Sequence, residues 1–217
     1  MRLKASIRTI IFAFALVFHA ASARAAVTDS PYYWIRKLKD PDKVLLTPSR
    51  IDEFNRHIIA ANDQMADLEE MPEKVSGEEL LSWLIKDPVP EAGSAPRYDS
   101  RARLFSHASI EWLKNNMNLG AVGDENHVWR AVITERADMR AFPSDEPMFM
   151  TPSGVSFDTT LYSSLYPSEE AALLHISSDA EWGFFQTQAL RGWVRLDKVA
   201  FEPSRTHPPN PPLTQGG

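Results

Sequence analysis

The chain has 217 residues, with 23 basic and 29 acidic side chains, a formal net charge of −6 and no cysteine. The missing cysteines exclude disulfides, thiolate metal sites and a cysteine nucleophile within these residues. An acidic chain without a basic run is also excluded from electrostatic capture of nucleic acid, anionic lipid or polyanionic wall polymer.

Residues 1–25 read as a secretory signal. Arg2, Lys4 and Arg8 form a positive start, Ile10 to Phe18 is an apolar run, and Ala23-Arg24-Ala25 supplies a small-x-small cleavage site before Ala26. The run is shorter than the ~20 residues a bilayer span needs. An uncleaved N-terminal anchor is the alternative reading. Without Arg2, Lys4, Arg8 and Arg24 the chain keeps 19 basic and 29 acidic residues, a net of −10. The length that follows is enough for an ordinary core without disulfides.

Tyr32-Tyr33-Trp34-Ile35 is an aromatic cluster expected to pack a peripheral segment onto the fold. A helix is predicted from Thr47-Pro48-Ser49, with Ile51, Phe54 and Ile58 as one apolar stripe. Ser76-Gly77-Glu78-Glu79 is a capping-box start. Leu80, Leu81 and Leu84 form the buried face of that helix, and Pro88 ends it. Residues 87–98 read as an exposed connector. A third helix is predicted near Ser109 to Asn116, with Ile110, Leu113 and Met117 on one side and Gly120 as its stop.

The pattern changes near His127. Val128 to Thr134 is a strand by its β-branched and aromatic composition. Glu135 to Pro143 reads as a compact polar turn, in which Asp138 and Arg140 form a charge pair or contact a ligand. Met148 to Met150 and Ala171 to Ile176 are further strands, and Thr151 to Ser168 is expected to fold back over a barrel mouth. Ser177 to Ala180 is a turn before the strand Trp182 to Gln186. Arg191-Gly192 is a second turn before Trp193-Val194. Five short strands predict a small barrel. The tail, 203–217, is rich in paired prolines and is expected to be disordered.

Strand alternation puts Trp182 and Phe184 on one face and Phe185 on the other, so one aromatic set should be core and the other partly exposed. Trp182, Phe184, Trp193 and Arg140 are therefore the candidate ligand-binding residues, with barrel core as the competing reading. His57, His107, His127, His175 and His207 show no metal-site spacing. No metal, cofactor or catalytic residue is predicted. Adjacent pairs such as Ser178-Asp179 lack a nucleophile-elbow pattern.

The YYW segment, the Ile-Asp-Glu-Phe-Asn helix, Ala137-Asp138-Met139-Arg140 with Phe142-Pro143, and Trp182 with Gly192-Trp193-Val194 together resemble a known arrangement. It is the non-catalytic N-terminal half of exported NlpC-type cysteine endopeptidases of Gram-negative bacteria. The resemblance implies an α+β chain: a helical stabilising segment over 26–122, a bacterial SH3-like barrel over 127–202, and the tail. It implies a periplasmic or secreted location. It also implies peptidoglycan stem peptide or glycan, or a cell-wall enzyme, as partner, with no nucleic acid and no membrane after signal cleavage. The family's reaction needs a cysteine thiolate beside a histidine, and its catalytic residues map to no position here. The expected function is a non-catalytic wall-binding or enzyme-docking module. The alternatives are a truncated remnant of such an enzyme and a cysteine-free wall hydrolase.

Overall fold

A computed structural model describes residues 30–90, 96–153 and 157–202. The expected signal peptide and Pro-rich tail lie outside the described residues. The chain divides between Glu53 and Phe54 into two compact units. No helix among the described residues is long and apolar enough to cross a membrane.

The first unit holds α1 (Pro31–Ile35), in which the rings of Tyr33 and Trp34 meet edge to face at 5.2 Å and no residue is buried. Helix α2 (Pro48–Ala61) begins in this unit and runs across the division. Its predicted apolar stripe is present, yet Ile51, Phe54 and Ile58 are all exposed.

The second unit is mixed helix and strand. Strand β1 (Lys74–Ser76) leads directly into α3 (Gly77–Leu84), whose N-cap Ser76 Oγ accepts from Glu79 N at 3.2 Å, the bond a capping box requires. Helix α4 (His107–Asn116) is capped by Ser106, whose Oγ accepts from Ser109 N at 3.1 Å. Ile110, Leu113 and Met117 are buried as their spacing predicts. Gly120 lies in a short 3-10 turn, Leu119–Ala121, beyond the helix end.

Strand β2 (Glu125–His127) pairs antiparallel with β1. The remaining strands are β3 (Trp129–Ile133), β4 (Ala137–Arg140), β5 (Leu161–Leu165), β6 (Glu170–Ile176), β7 (Trp182–Gln186), β8 (Arg191–Arg195) and β9 (Val199–Phe201). They form one antiparallel sheet in the order β5-β4-β8-β7-β6-β3-β9.

Four sequence expectations are corrected. Residues 137–140, read as a turn, are strand β4, held between β5 and β8. Residues 161–165, expected to fold over a barrel mouth, form the edge strand β5. Met148 to Met150 is no strand; Phe149 makes a single bridge to Tyr98. Gly192 belongs to β8 and not to a turn, which instead spans Thr187 to Leu190 and is closed by Thr187 N on Leu190 O at 2.8 Å. Glycine is required at 192 by close approach: a Cβ there would meet Met139 Cγ at 2.6 Å and the Arg140 carbonyl oxygen at 2.9 Å.

Two apolar cores lie on opposite faces of the sheet. The inner core gathers Ile133, Met139, Leu165, Leu173, Phe185 and Val194. The outer core joins Trp182, Phe184, Trp193 and Leu174 to Leu80 and Leu84 of α3 and to Leu113 and Met117 at α4. The expectation that one aromatic set is partly exposed therefore fails. Helices α3 and α4 cover the face that a bare barrel would show to water, and every residue of β7 is buried.

Trp193 is fully buried in the helix-facing core, with its ring 5.5 Å from that of Phe184. Trp193→Ala should cost about 3–5 kcal/mol, the range for deleting a large buried aromatic. Denaturant unfolding measures it; an unchanged midpoint would contradict the packing role.

Candidate functional site

The seam between helices and sheet is locked by polar groups as well as by apolar contact. Asn116, at the end of α4, is 2 % exposed. Its Nδ2 donates to the Pro143 carbonyl at 3.0 Å and to Asp179 Oδ2 at 2.9 Å, while its Oδ1 accepts from Ser178 Oγ and Asp179 N. Asp179 Oδ1 in turn accepts from Ser177 Oγ at 2.5 Å and from Glu181 N at 3.0 Å. The Ser177–Ala180 turn thus docks the sheet onto the helix, and Ser178-Asp179 has a positioning role. His175 Nε2 lies 3.2 Å from the Met117 carbonyl and 3.1 Å from that of Asn118. Burial pushes its pKa below the ordinary histidine value, against the pull of those two carbonyls, so the ring is a neutral donor at neutral pH.

The four residues singled out from sequence are brought together, but in the interior. Trp182, Phe184, Trp193 and Arg140 are 2, 5, 0 and 5 % exposed. Their side chains are packed because the helices occupy the face where a groove was expected. Trp182 reaches a surface hollow, where Arg195 lies 5.4 Å over its ring, and Phe184 borders a small cleft. Arg140 does not pair with Asp138. Its Nη2 donates to Asp158 Oδ2 at 2.8 Å and to Thr160 Oγ1 at 2.7 Å, and Asp138 instead accepts from Ser164 Oγ at 3.2 Å. Strict alternation would put both on one face, but the pairing with β5 shifts register between Met139 and Arg140, so Arg140 ends β4 buried while Asp138 is exposed. Burial would raise the Asp158 carboxyl, but hydrogen bonds from Thr160 and Met148 N and the Arg140 charge outweigh it and hold it below the usual range. Among the described residues two buried side-chain donors lack partners, Arg140 Nε and Trp193 Nε1, on residues that face each other across β4 and β8. Each such orphan costs about 1–3 kcal/mol, so apolar packing must carry this seam.

An accessible groove lies elsewhere. It occupies about 600 Å³ between the first turns of α4, the loop before it and Ser144 to Glu146. Leu104 and Trp112 form its apolar wall, 61 and 52 % exposed. Phe105, also in the lining, packs against the outer core. The loop is shaped by Asp99, whose Oδ1 accepts from Arg101 N and Arg103 N and whose Oδ2 pairs with Arg103 at 2.6 Å. Glu146 Oε1 accepts from Ser100 N and Oγ, at 2.8 and 2.7 Å, and fixes the opposite rim. The groove can stack a flat ring on Trp112 and exchange hydrogen bonds at its rim. Among the described residues no cluster of three or more metal-ligating side chains occurs.

Sequence reasoning passed over this groove, although one signal was present. Trp112 sits off the Ile110, Leu113, Met117 stripe, so it had to point away from the core.

Compared with known proteins, residues 147–195 match the family described as SH3 domain (SH3b1 type). A solved structure described as a novel NlpC/P60 endopeptidase from Photobacterium damselae subsp. piscicida is similar at 22 % identity and a TM-score of 0.55. The similarity covers 75 % of this chain and 39 % of that one. At that identity it concerns the fold, and this chain matches well under half the length of the endopeptidase. No curated protein matches. Residues 147–195 thus carry the match to an SH3 domain of the SH3b1 type, and the likeness to the endopeptidase structure is one of fold.

Removing Asp158 tests the buried pair. Asp158→Ala leaves the Arg140 charge uncompensated and should cost about 3–5 kcal/mol, read as a lower denaturation midpoint. A change within about 0.5 kcal/mol, the usual size for a surface substitution, would show the pair to be dispensable.

Proposed function

We propose that this chain is a non-catalytic recognition module of the cell-wall peptidase kind, acting outside the cytoplasm and binding the glycan of peptidoglycan in the α4 groove. The SH3b1 match and the endopeptidase-like fold support the cell-wall setting. The 217 residues hold no cysteine, so a thiolate mechanism has no nucleophile among them. The observation that carries the reading is the exposed Trp112–Leu104 wall, beside a sheet whose own aromatics are consumed by packing.

Charge favours glycan over stem peptide in this groove. Its rim carries Asp99 and Glu146, and its one lining cation, Arg103, is already paired with Asp99. Stem peptides bring carboxylates that such a rim repels. A sugar ring brings an apolar face for Trp112 and hydroxyls for the rim.

A pull-down of the protein on peptidoglycan, with and without its stem peptides removed, tests the proposal. Binding should survive peptide removal and change little with salt. Trp112→Ala should weaken it by about tenfold, equivalent to ~1.4 kcal/mol, without moving the thermal midpoint. Binding that requires the peptides, or that is indifferent to Trp112, would overturn it.

A further inference from the structure

We propose that Arg191 forms a second, separate subsite, one that takes a carboxylate monoanion at the seam between α3 and β8. Arg191 opens β8 and is 7 % exposed. Its guanidinium lies 4.2 Å from the centre of the Trp83 ring, on α3. Stacking of this kind occupies the face of the guanidinium and leaves its in-plane N–H groups pointing outward.

Those N–H groups have no hydrogen-bond or ion-pair partner among the described residues. Nor are they sealed, since among the described residues the fully enclosed orphan donors are Arg140 Nε and Trp193 Nε1. They open on a small cleft lined also by Trp83, Lys86, Asp87, Tyr162 and Phe184. Its volume is about 10 Å³, the room one oxygen-sized group needs.

Other polar groups at the cleft already have partners. Lys86 Nζ donates to Asp63 Oδ2 at 2.6 Å, and the Tyr162 hydroxyl donates to Asp87. The Gln64 carbonyl accepts from Gln186 Nε2 at 2.8 Å. Arg191 is the cation left over. Burial pushes its pKa down, while Asp63 and Glu79 act on it only through space and oppose that shift.

The ligand class follows from this geometry. A buried guanidinium with free edge donors offers a charge-assisted hydrogen bond to a carboxylate oxygen. The small cleft admits that one oxygen and leaves the rest of the ligand, its second oxygen included, outside. Asp87 in the lining, and Asp63 paired to the lining Lys86, disfavour a dianion, which argues against a phosphate. Aspartates already paired to Lys86 and Tyr162 do not reach the fork themselves. The subsite is distinct from the α4 groove and stands whether or not that groove binds glycan.

Titration of the full chain with N-acetylalanine, followed by the Arg191 Nε–Hε NMR resonance at constant ionic strength, tests this. N-acetylalanine amide serves as the control, since it differs only at the carboxylate. The acid should give a saturable shift, and the amide a shift at least fivefold smaller. The response should persist in Trp112→Ala, which separates it from the groove, and the accompanying shift of the Trp83 indole Nε1–H resonance should be lost in Arg191→Lys, which keeps the charge without the planar fork. Should Arg191→Lys fail to fold, the acid–amide difference in the unsubstituted chain decides. Equal responses to acid and amide, no response to either, or loss of the response in Trp112→Ala would overturn the proposal.

Discussion

Strand β7 is buried along its whole length because an apolar core lies against each of its faces. Phe185 points into the inner core, Trp182 and Phe184 into the outer one. A small sheet with one wet face could hold such a strand only by exposing two large aromatics. Helices α3 and α4 remove that exposure. Leu80 and Leu84 of α3, with Leu113 and Met117 at α4, add to the outer core. Burial of this kind contributes about 25 cal/mol per Å² of apolar surface removed from water, so the helices and the sheet stabilise one another.

The polar contacts at the seam set its register. Asn116 satisfies the Ser177–Ala180 turn from the end of α4, and His175 reaches the carbonyls just past it. A buried amide with four partners admits few alternative dockings, and a slipped helix would leave those groups unpaired at about 1–3 kcal/mol each. The two proposed binding places lie on what the docked helices leave outside. On α4, Trp112 stands about 100° around the helix from Leu113 and is exposed. Beside α3, the residue facing Trp83 is Arg191.

Much of this was legible in the sequence. Capping residues placed α3, and the 3.6-residue spacing of Ile110, Leu113 and Met117 gave the buried side of α4. Strand composition found β3, β6 and β7, and the aromatic motifs pointed to a bacterial SH3 domain. Strands β4 and β5 were missed because Ala137–Arg140 and Leu161–Leu165 look polar. Arg140 can be buried only because Asp158 and Thr160, eighteen and twenty residues later, come to meet it, and no local pattern announces such a pairing. The core aromatics were mistaken for a groove for a related reason. Period-two alternation shows that a strand has two faces, but not that a distant helix covers the second one.

Native-state hydrogen exchange on the full chain tests most directly whether α3, α4 and the sheet form one cooperative structure. Amides in α3, α4, β7 and β8 should exchange through the same opening, with a common free energy and a common response to denaturant. Free exchange in both helices while β7 and β8 stay protected would contradict the account. It would show a sheet that holds its aromatic face without them.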